Sequence, residues 1–386
     1  MKFLVCPDSF KGTMSSVRVA EIISDELIKA GYQAEAVPVA DGGEGTLNAI
    51  TSVIRCEKKY IETIDPLGKK ITGIYAYQND VAYMEYAICC GLHLIKKDER
   101  DLLNSTSAGF GILLDDALKN GVKTIHIGIG GSATNDAGVG MLQMLGVKFF
   151  DKAGTDLTSK KILREKDLND IYDFDANELN EKIKGIKIKV LCDVKNKLTG
   201  KFGATYIYAR QKGAKEEQLE KMDSDIKHFA ILAEKKLNIN AEFSGAGASG
   251  GLGFALKIFL NGEIISGIEG ISKILNLEEK IIKSDIVIVG EGSLDYQTAF
   301  GKAPWGVASL AKKHNKFVVG ISGKAGTRAE SLLGENIDSI YSAFGNVRTT
   351  AEIRKNSESD LRKTIRKFIE DLRKGNLKNH ITTLNN

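Results

Sequence analysis

TIHIGIGGSATND, residues 124–136, decides the reading of this chain. An apolar run opens into glycines and hydroxyls, closes on a carboxylate and feeds a helix expected over 137–145. Ile125, Ile127 and Ile129 belong to a strand buried in a sheet. Gly130 and Gly131 let the backbone turn so that its N–H groups converge, with Ala133 in the same turn. Ser132, Thr134 and Asn135 add side-chain donors near the helix start, so the stretch reads as a cradle for phosphate. Asp136 does not belong in a bare anion site, because a carboxylate repels phosphate unless a cation lies between them. A magnesium ion is the economical inference.

Outward from this loop, apolar runs of four to six residues alternate with helical patterns, which defines an α/β protein with largely parallel sheet. The clearest strands are expected at 2–6, 36–40, 123–129, 188–192, 285–289 and 317–321. Several lead into a glycine-rich, acidic loop and then a helix. In open α/β sheets ligands bind beyond the carboxyl ends of strands, so these loops are expected to line one cleft. A length of 386 residues suits roughly two domains. Strand-like segments at both ends share the same loop chemistry, so residues 1–60 and 280–386 are expected to build one domain, with 61–279 inserted as a second α/β domain. The polar stretch 152–187, poor in glycine, reads as a surface excursion with short helices.

Composition removes several function classes. Lys+Arg 54 against Asp+Glu 50 leaves a formal charge of +4, and the basic residues do not cluster with aromatics as a nucleic-acid footprint requires. Residues 354–378, the most basic stretch, carry Leu361, Ile365, Phe368, Ile369 and Leu372 at helical spacing and read as a solvated amphipathic helix. Five cysteines (Cys6, Cys56, Cys89, Cys90, Cys192) show no CxxC spacing, so neither a zinc site nor a disulfide framework is indicated, and a reducing cytoplasm is expected. No apolar run approaches membrane-spanning length, and the first residues run straight into a strand. The five histidines (His93, His126, His228, His314, His380) lie far apart and are set aside as ligands or bases.

Further loops carry chemistry. DSFKG (8–12) follows the first strand and precedes a helix capped by Ser15 or Ser16, which places Lys11 to meet an anion. DGGEGT (41–46) holds Asp41 and Glu44 three apart in a glycine turn, suited to an oxygen-ligated cation or a substrate hydroxyl, or to helix capping. Asp193 ends a strand, a recurrent catalytic placement that turn formation explains as well. GAGASGGLG (245–253) is a further glycine loop, for which close helix packing is the alternative reading. GEGSLD (290–295), followed by Gln297, Thr298 and Lys302, is the densest acidic and hydroxyl cluster. Lys302 lies near a helix N-terminus, where the dipole disfavours it, and a bound anion would resolve the conflict.

No Walker A loop, kinase catalytic set, GxSxG elbow or HExxH is present. A dinucleotide fingerprint does match: Gly128-x-Gly130-x-x-Ala133, with Asp151 after a strand at 147–150, has the form of a Rossmann unit and allows an NAD-dependent dehydrogenase as an alternative. A nucleotide-binding sensor without turnover is a third reading.

Eight strings in register resemble the type-1 glycerate kinase family: PDSFKGTMS (7–15), PVADGGEGT (38–46), MEYA (84–87), GIGGSATNDAGVGMLQMLG (128–146), CDV (192–194), QKGA (211–214), GAGASGGLGFAL (245–256) and GEGSLDYQTAFGKAPWGVA (290–308). The resemblance implies ATP-dependent phosphorylation of D-glycerate with Mg2+, by a flavodoxin-like domain made from both chain ends plus a second α/β domain. The family leans toward 2-phosphoglycerate over 3-phosphoglycerate. The chain departs from the pattern at Lys195, Lys197, Arg210 and Phe110.

On this reading Gly130, Gly131, Ser132, Ala133, Thr134, Asn135 and Lys302 hold the nucleotide, and Lys11 neutralises charge. A subset of Asp41, Glu44, Asp136, Glu291 and Asp295 binds magnesium. One aspartate, Asp193 or Asp295, orients or deprotonates the acceptor hydroxyl. Asp8, Ser9, Lys11, Gly247 and Ser293 are expected to contact glycerate. The chain is expected to act as a monomer or homodimer in the cytoplasm, without nucleic acid or membrane.

Overall fold

A computed structural model describes residues 1–159, 161–343, 350–377 and 381–383. Contacts divide the chain into two compact units. The first is Met1–Asp41, Asn48–Arg55 and Gly267–Asn386, and the second is Gly42–Leu47 and Cys56–Ser266. The borders thus fall at 41/42, 47/48, 55/56 and 266/267, whereas the sequence reading drew them at 60/61 and 279/280.

The first unit is built on six parallel strands in the order Gln33–Ala36, Lys2–Pro7, Ile286–Leu294, Phe317–Ala325, Ser339–Ser342, Ile381–Thr383. Counted along the chain within this unit the order is 2-1-3-4-5-6, the flavodoxin arrangement with one strand added. Its central strands are apolar runs because helices cover both faces, and Ile286 to Glu291 are all buried. The strand expected at 36–40 is Gln33–Ala36, and Val37 and Val39 continue it by donating to Val5 and Pro7 carbonyls.

Ser15 caps the helix Ser16–Lys29 by accepting from Arg18 N, and Val19, Ile22, Ile23 and Leu27 form its buried face. The helix Thr350–Arg373 is amphipathic as its spacing indicated, with its apolar face packed in the core. Phe368 sits edge-on to Phe3 and Tyr341, with ring centroids 6.1 and 5.4 Å away. Arg362 and Arg366 of the same helix both bind the buried Glu26, at 2.8 and 2.7 Å. Lys378 and His380 lie outside the described residues.

The second unit has a mixed sheet. Glu263–Ile265, Lys187–Leu191, Thr124–Gly128 and Val81–Glu85 run parallel, and Lys70–Gln78 and Glu57–Ile64 extend them antiparallel. Those two outer strands were not among the expected ones. Glu57–Ile64 carries charges on nearly every exposed position and only Thr63 is buried, the pattern of an edge strand with one wet face. Residues 152–187 are more than a surface excursion: Leu163, Leu168, Ile171, Phe174 and Leu179 are fully buried in the core. They are interleaved with outward charges, which hides their inward face in the sequence. Among the described residues no helix is long and apolar enough to cross a membrane.

Candidate active site

The loop 129–138 carries the second unit's polar centre. The helix after it is shorter than expected, Val139–Met144, and begins after Gly138, which holds the left-handed conformation as its N-cap. The Asp136 carboxylate accepts from the N–H groups of Gly138 and Gly140, each at 3.2 Å, and from both the N–H and the hydroxyl of Ser107 at 2.7 Å. At 1% exposure it has no access for a metal ion, although Oδ1 carries only one of the four bonds, and burial pushes its carboxyl pKa up despite these donors. The metal role assigned to Asp136 is therefore corrected to a structural one.

Two other predicted loops meet this one within the same unit. Gly130 N donates to Gly42 O at 3.0 Å, and a Cβ on Gly130 would lie 2.6 Å from Gly43 Cα, so only glycine fits. Glu85, from the end of its strand, holds that neighbouring loop by accepting from Gly45 N (3.1 Å) and Leu47 N (3.0 Å). Glu44 is exposed beside Gly131, and His93 Nδ1 lies 3.9 Å from its carboxylate.

The glycine loop 245–253 packs on the other side. Gly250 accepts from Ala137 N at 2.9 Å, the Ser249 hydroxyl donates to Ile129 O, and Gly247 N donates to Asn196 O at 3.1 Å. Close backbone packing thus accounts for these glycines, Gly247 included. Ala137 (φ 48°) and Ser249 (φ 53°) both hold the left-handed conformation that L-residues avoid, and such strain gathers at functional loops.

Two residues given no role by the sequence reading complete the loop. Lys212 Nζ donates to Ser132 Oγ at 2.7 Å and to Thr134 O at 2.8 Å while only 4% exposed. Burial lowers its ammonium pKa to about 7, with Asp136 pulling the other way. The buried Tyr86 hydroxyl shares a 2.8 Å hydrogen bond with Thr134 Oγ1. Both residues lie in strings already noted, QKGA and MEYA, and those strings were the available signal. Asn135 donates to Thr205 Oγ1 at 3.1 Å, and its buried Oδ1 has no protein partner. Asp193 is exposed after its strand and accepts from the Ser266 hydroxyl at 2.8 Å.

In the first unit the remaining predicted residues gather where the strand order reverses, at the carboxyl ends of Lys2–Pro7 and Ile286–Leu294, the crevice where doubly wound sheets bind ligands. Asp8 N donates to Gly290 O at 2.8 Å, and Gly292 lies against the backbone of Phe10 and Lys11. Burial, then the charges of Asp41 and Glu291, raise the Asp8 carboxyl pKa to about 7. Lys11 and Asp41 are exposed, and Ser9 is half-buried.

Glu291, mostly buried, receives Lys302 Nζ at 2.9 Å and the Thr298 hydroxyl at 2.5 Å. Glu291 thus answers the charge of Lys302 at its helix start. Asp295 caps the turn Tyr296–Phe300 through Gln297 N at 2.9 Å, with Ser293 Oγ 3.3 Å from its other oxygen. Among the described residues no three His, Cys, Asp or Glu side chains are gathered closely enough to hold a metal by themselves.

The dinucleotide reading fails structurally. A Rossmann unit needs its second strand beside the first in one parallel sheet, whereas Lys148–Phe150 pairs antiparallel with Asp173–Asp175 in a separate two-stranded sheet.

Fold and loop together define a two-unit α/β enzyme whose glycine loop is lined by donors and backed by a buried cation. The glycerate kinase family model matches residues 3–373. The chain is 39% identical over 357 residues to the glycerate 2-kinase of Escherichia coli K12, covering 91% of this chain and 93% of that one. It is 36% identical over 370 residues to the glycerate kinase of Halalkalibacterium halodurans, covering 94% and 96%. A crystal structure from Salmonella typhimurium LT2, itself a candidate glycerate kinase 2, superposes with a TM-score of 0.84 at 36% identity, over 97% of this chain and 99% of that one. The chain belongs to the glycerate kinase family.

Proposed function

We propose that the protein transfers the γ-phosphoryl group of ATP to D-glycerate and forms 2-phosphoglycerate. The observation that supports the reading is the loop 130–135, rich in donors and backed by Lys212, with the strained Ala137 and Ser249 beside it, which suits phosphate. Phosphoryl transfer asks a protein chiefly to position its reactants and neutralise charge, which such a loop does. The 2-position is supported by the name of the Escherichia coli relative.

Gly130, Gly131, Ser132, Ala133, Thr134 and Asn135 hold nucleotide phosphates in this proposal. Lys11 and Lys302 supply positive charge, and Asp8, Ser9 and Ser293 contact glycerate. Asp193 or Asp295 orients or deprotonates the acceptor hydroxyl; the bond from Ser266 fixes one Asp193 oxygen, and capping fixes Asp295. The Asp8 carboxyl is raised by burial first and then by the charges of Asp41 and Glu291, so these carboxylates are close enough to act on one another, which suits a divalent cation. Magnesium is held through one or two carboxylates plus phosphate oxygens, so the absence of a three-carboxylate cage is consistent with it. Asp41, Glu44 and Glu291 are the carboxylates proposed to serve it. When bound, magnesium supplies charge neutralisation at phosphate oxygens.

ADP release from ATP and magnesium, followed by a coupled assay, should require D-glycerate. Lys11→Ala should lower kcat/KM by on the order of 100-fold. ADP release indifferent to glycerate removes the proposal, and a Lys11→Ala variant within about threefold of wild type removes Lys11 from the site.

A further inference from the structure

We infer that Lys212 is the positioning residue of the phosphate loop: a buried cation that acts through Ser132 and the Thr134 carbonyl to aim the loop's donors at phosphate. The inference rests on the reading that this loop holds ATP phosphates. Lys212 comes from the turn Arg210–Lys212, which Gly213 ends and which Arg100 fixes by donating to Gln211 O at 2.8 Å. The ammonium is therefore placed before any ligand arrives.

Three consequences follow from its contacts. First, the charge has no counter-ion: among the described residues no carboxylate lies within 4.0 Å of Lys212 Nζ, and the nearby acid, Asp136, is engaged by four donors. A buried ammonium without a counter-ion tends to shed its proton, as the lowered Lys212 pKa reflects, and an anion bound on the donor-lined loop would hold it charged, so the unpaired amine beneath the loop marks the place of an anionic ligand.

Second, Ser132 Oγ accepts from Lys212, which leaves its own proton to be donated elsewhere. Next to it in the chain is the exposed Gly131. Third, Lys212 draws the Thr134 carbonyl toward itself. Across a trans peptide the N–H of Asn135 then faces the opposite way, and no peptide in the described chain is cis. One side chain thus orients a hydroxyl donor and a backbone donor and adds a positive charge behind both.

Lys212→Met removes the charge and keeps the aliphatic stem. With folding checked by circular dichroism, isothermal titration with Mg-ATP should show affinity weakened about tenfold or more, the loss expected for charged hydrogen bonds. KM for glycerate should stay within about threefold, because the effect is confined to the phosphate loop. Adding Ser132→Ala to Lys212→Met should cost less than about twofold more, since Ser132 acts under Lys212.

If Lys212→Met does not fold, Ser132→Ala alone decides, with ATP affinity expected to fall about fivefold. The inference is overturned if Lys212→Met binds ATP within about twofold of wild type, if ATP and glycerate constants rise together, if the two substitutions are additive, or if Ser132→Ala leaves ATP affinity unchanged. A wild-type protein that does not bind ATP overturns instead the reading on which the inference stands.

Discussion

Replacing Glu165 by glutamine should flatten the pH dependence of the second unit's stability. Glu165 is 0% exposed, and neither carboxylate oxygen has a hydrogen-bond partner. Burial first, then the charge of Asp225, raises its pKa from 4.5 to about 8, with Lys221 opposing and Asp136 and Asp167 adding to the rise. The folded protein therefore keeps the Glu165 proton up to about pH 8, while the unfolded chain releases it above about 4.5. Between those values the native state binds more protons, so stability falls as pH rises and levels off above about 8. A shift of about 3.5 units at ~1.36 kcal/mol each sets a ceiling of about 5 kcal/mol on this loss.

Glutamine has the same shape and does not titrate. Glu165→Gln should therefore gain about 2–5 kcal/mol over wild type on going from pH 5 to pH 8.5, measured by urea unfolding. The chain's one tryptophan, Trp305, lies in the first unit, so far-ultraviolet circular dichroism is the better probe. Parallel stability curves for wild type and variant across this range would refute the reasoning.

Gly130→Ala should displace the Gly42–Thr46 segment, cost about 1–3 kcal/mol in stability and raise KM for ATP, because its Cβ would meet Gly43 Cα at 2.6 Å; thermal melts and steady-state kinetics check both. Of Asp193→Asn and Asp295→Asn, the one that removes the group acting on the acceptor hydroxyl should lower kcat by about 10²–10⁴-fold with little change in melting temperature. Phe368→Ala should destabilise the first unit by about 3–5 kcal/mol in chemical unfolding, since the ring is fully buried against Phe3 and Tyr341.

The buried parallel strands expected at 2–6, 123–129, 188–192, 285–289 and 317–321, and the glycine loops, were legible because both have local signatures: apolar runs of strand length, and glycines where backbones must approach closely. Roles that depend on distant partners were not. Asp136 reads as a metal ligand in sequence because a capping aspartate and a chelating one look alike until Ser107, 29 residues away, is placed against it. Lys212 stands 80 residues from Ser132, so no local pattern joins them. Lys302 suggested a bound anion at its helix start because its partner Glu291, 11 residues earlier, could not be placed against it from the sequence. The false dinucleotide match had the same origin: a regular expression fixes spacing but not the sheet into which residues 148–150 go.

Proton-coupled phosphorus NMR of the product formed from ATP, Mg2+ and D-glycerate tests the central claim most directly. Phosphate on the 2-hydroxyl couples to the single C2 proton and should give a doublet. A triplet, from the two protons of C3, would contradict the 2-position, and the absence of any glycerate-dependent phosphate ester would contradict the proposed activity itself.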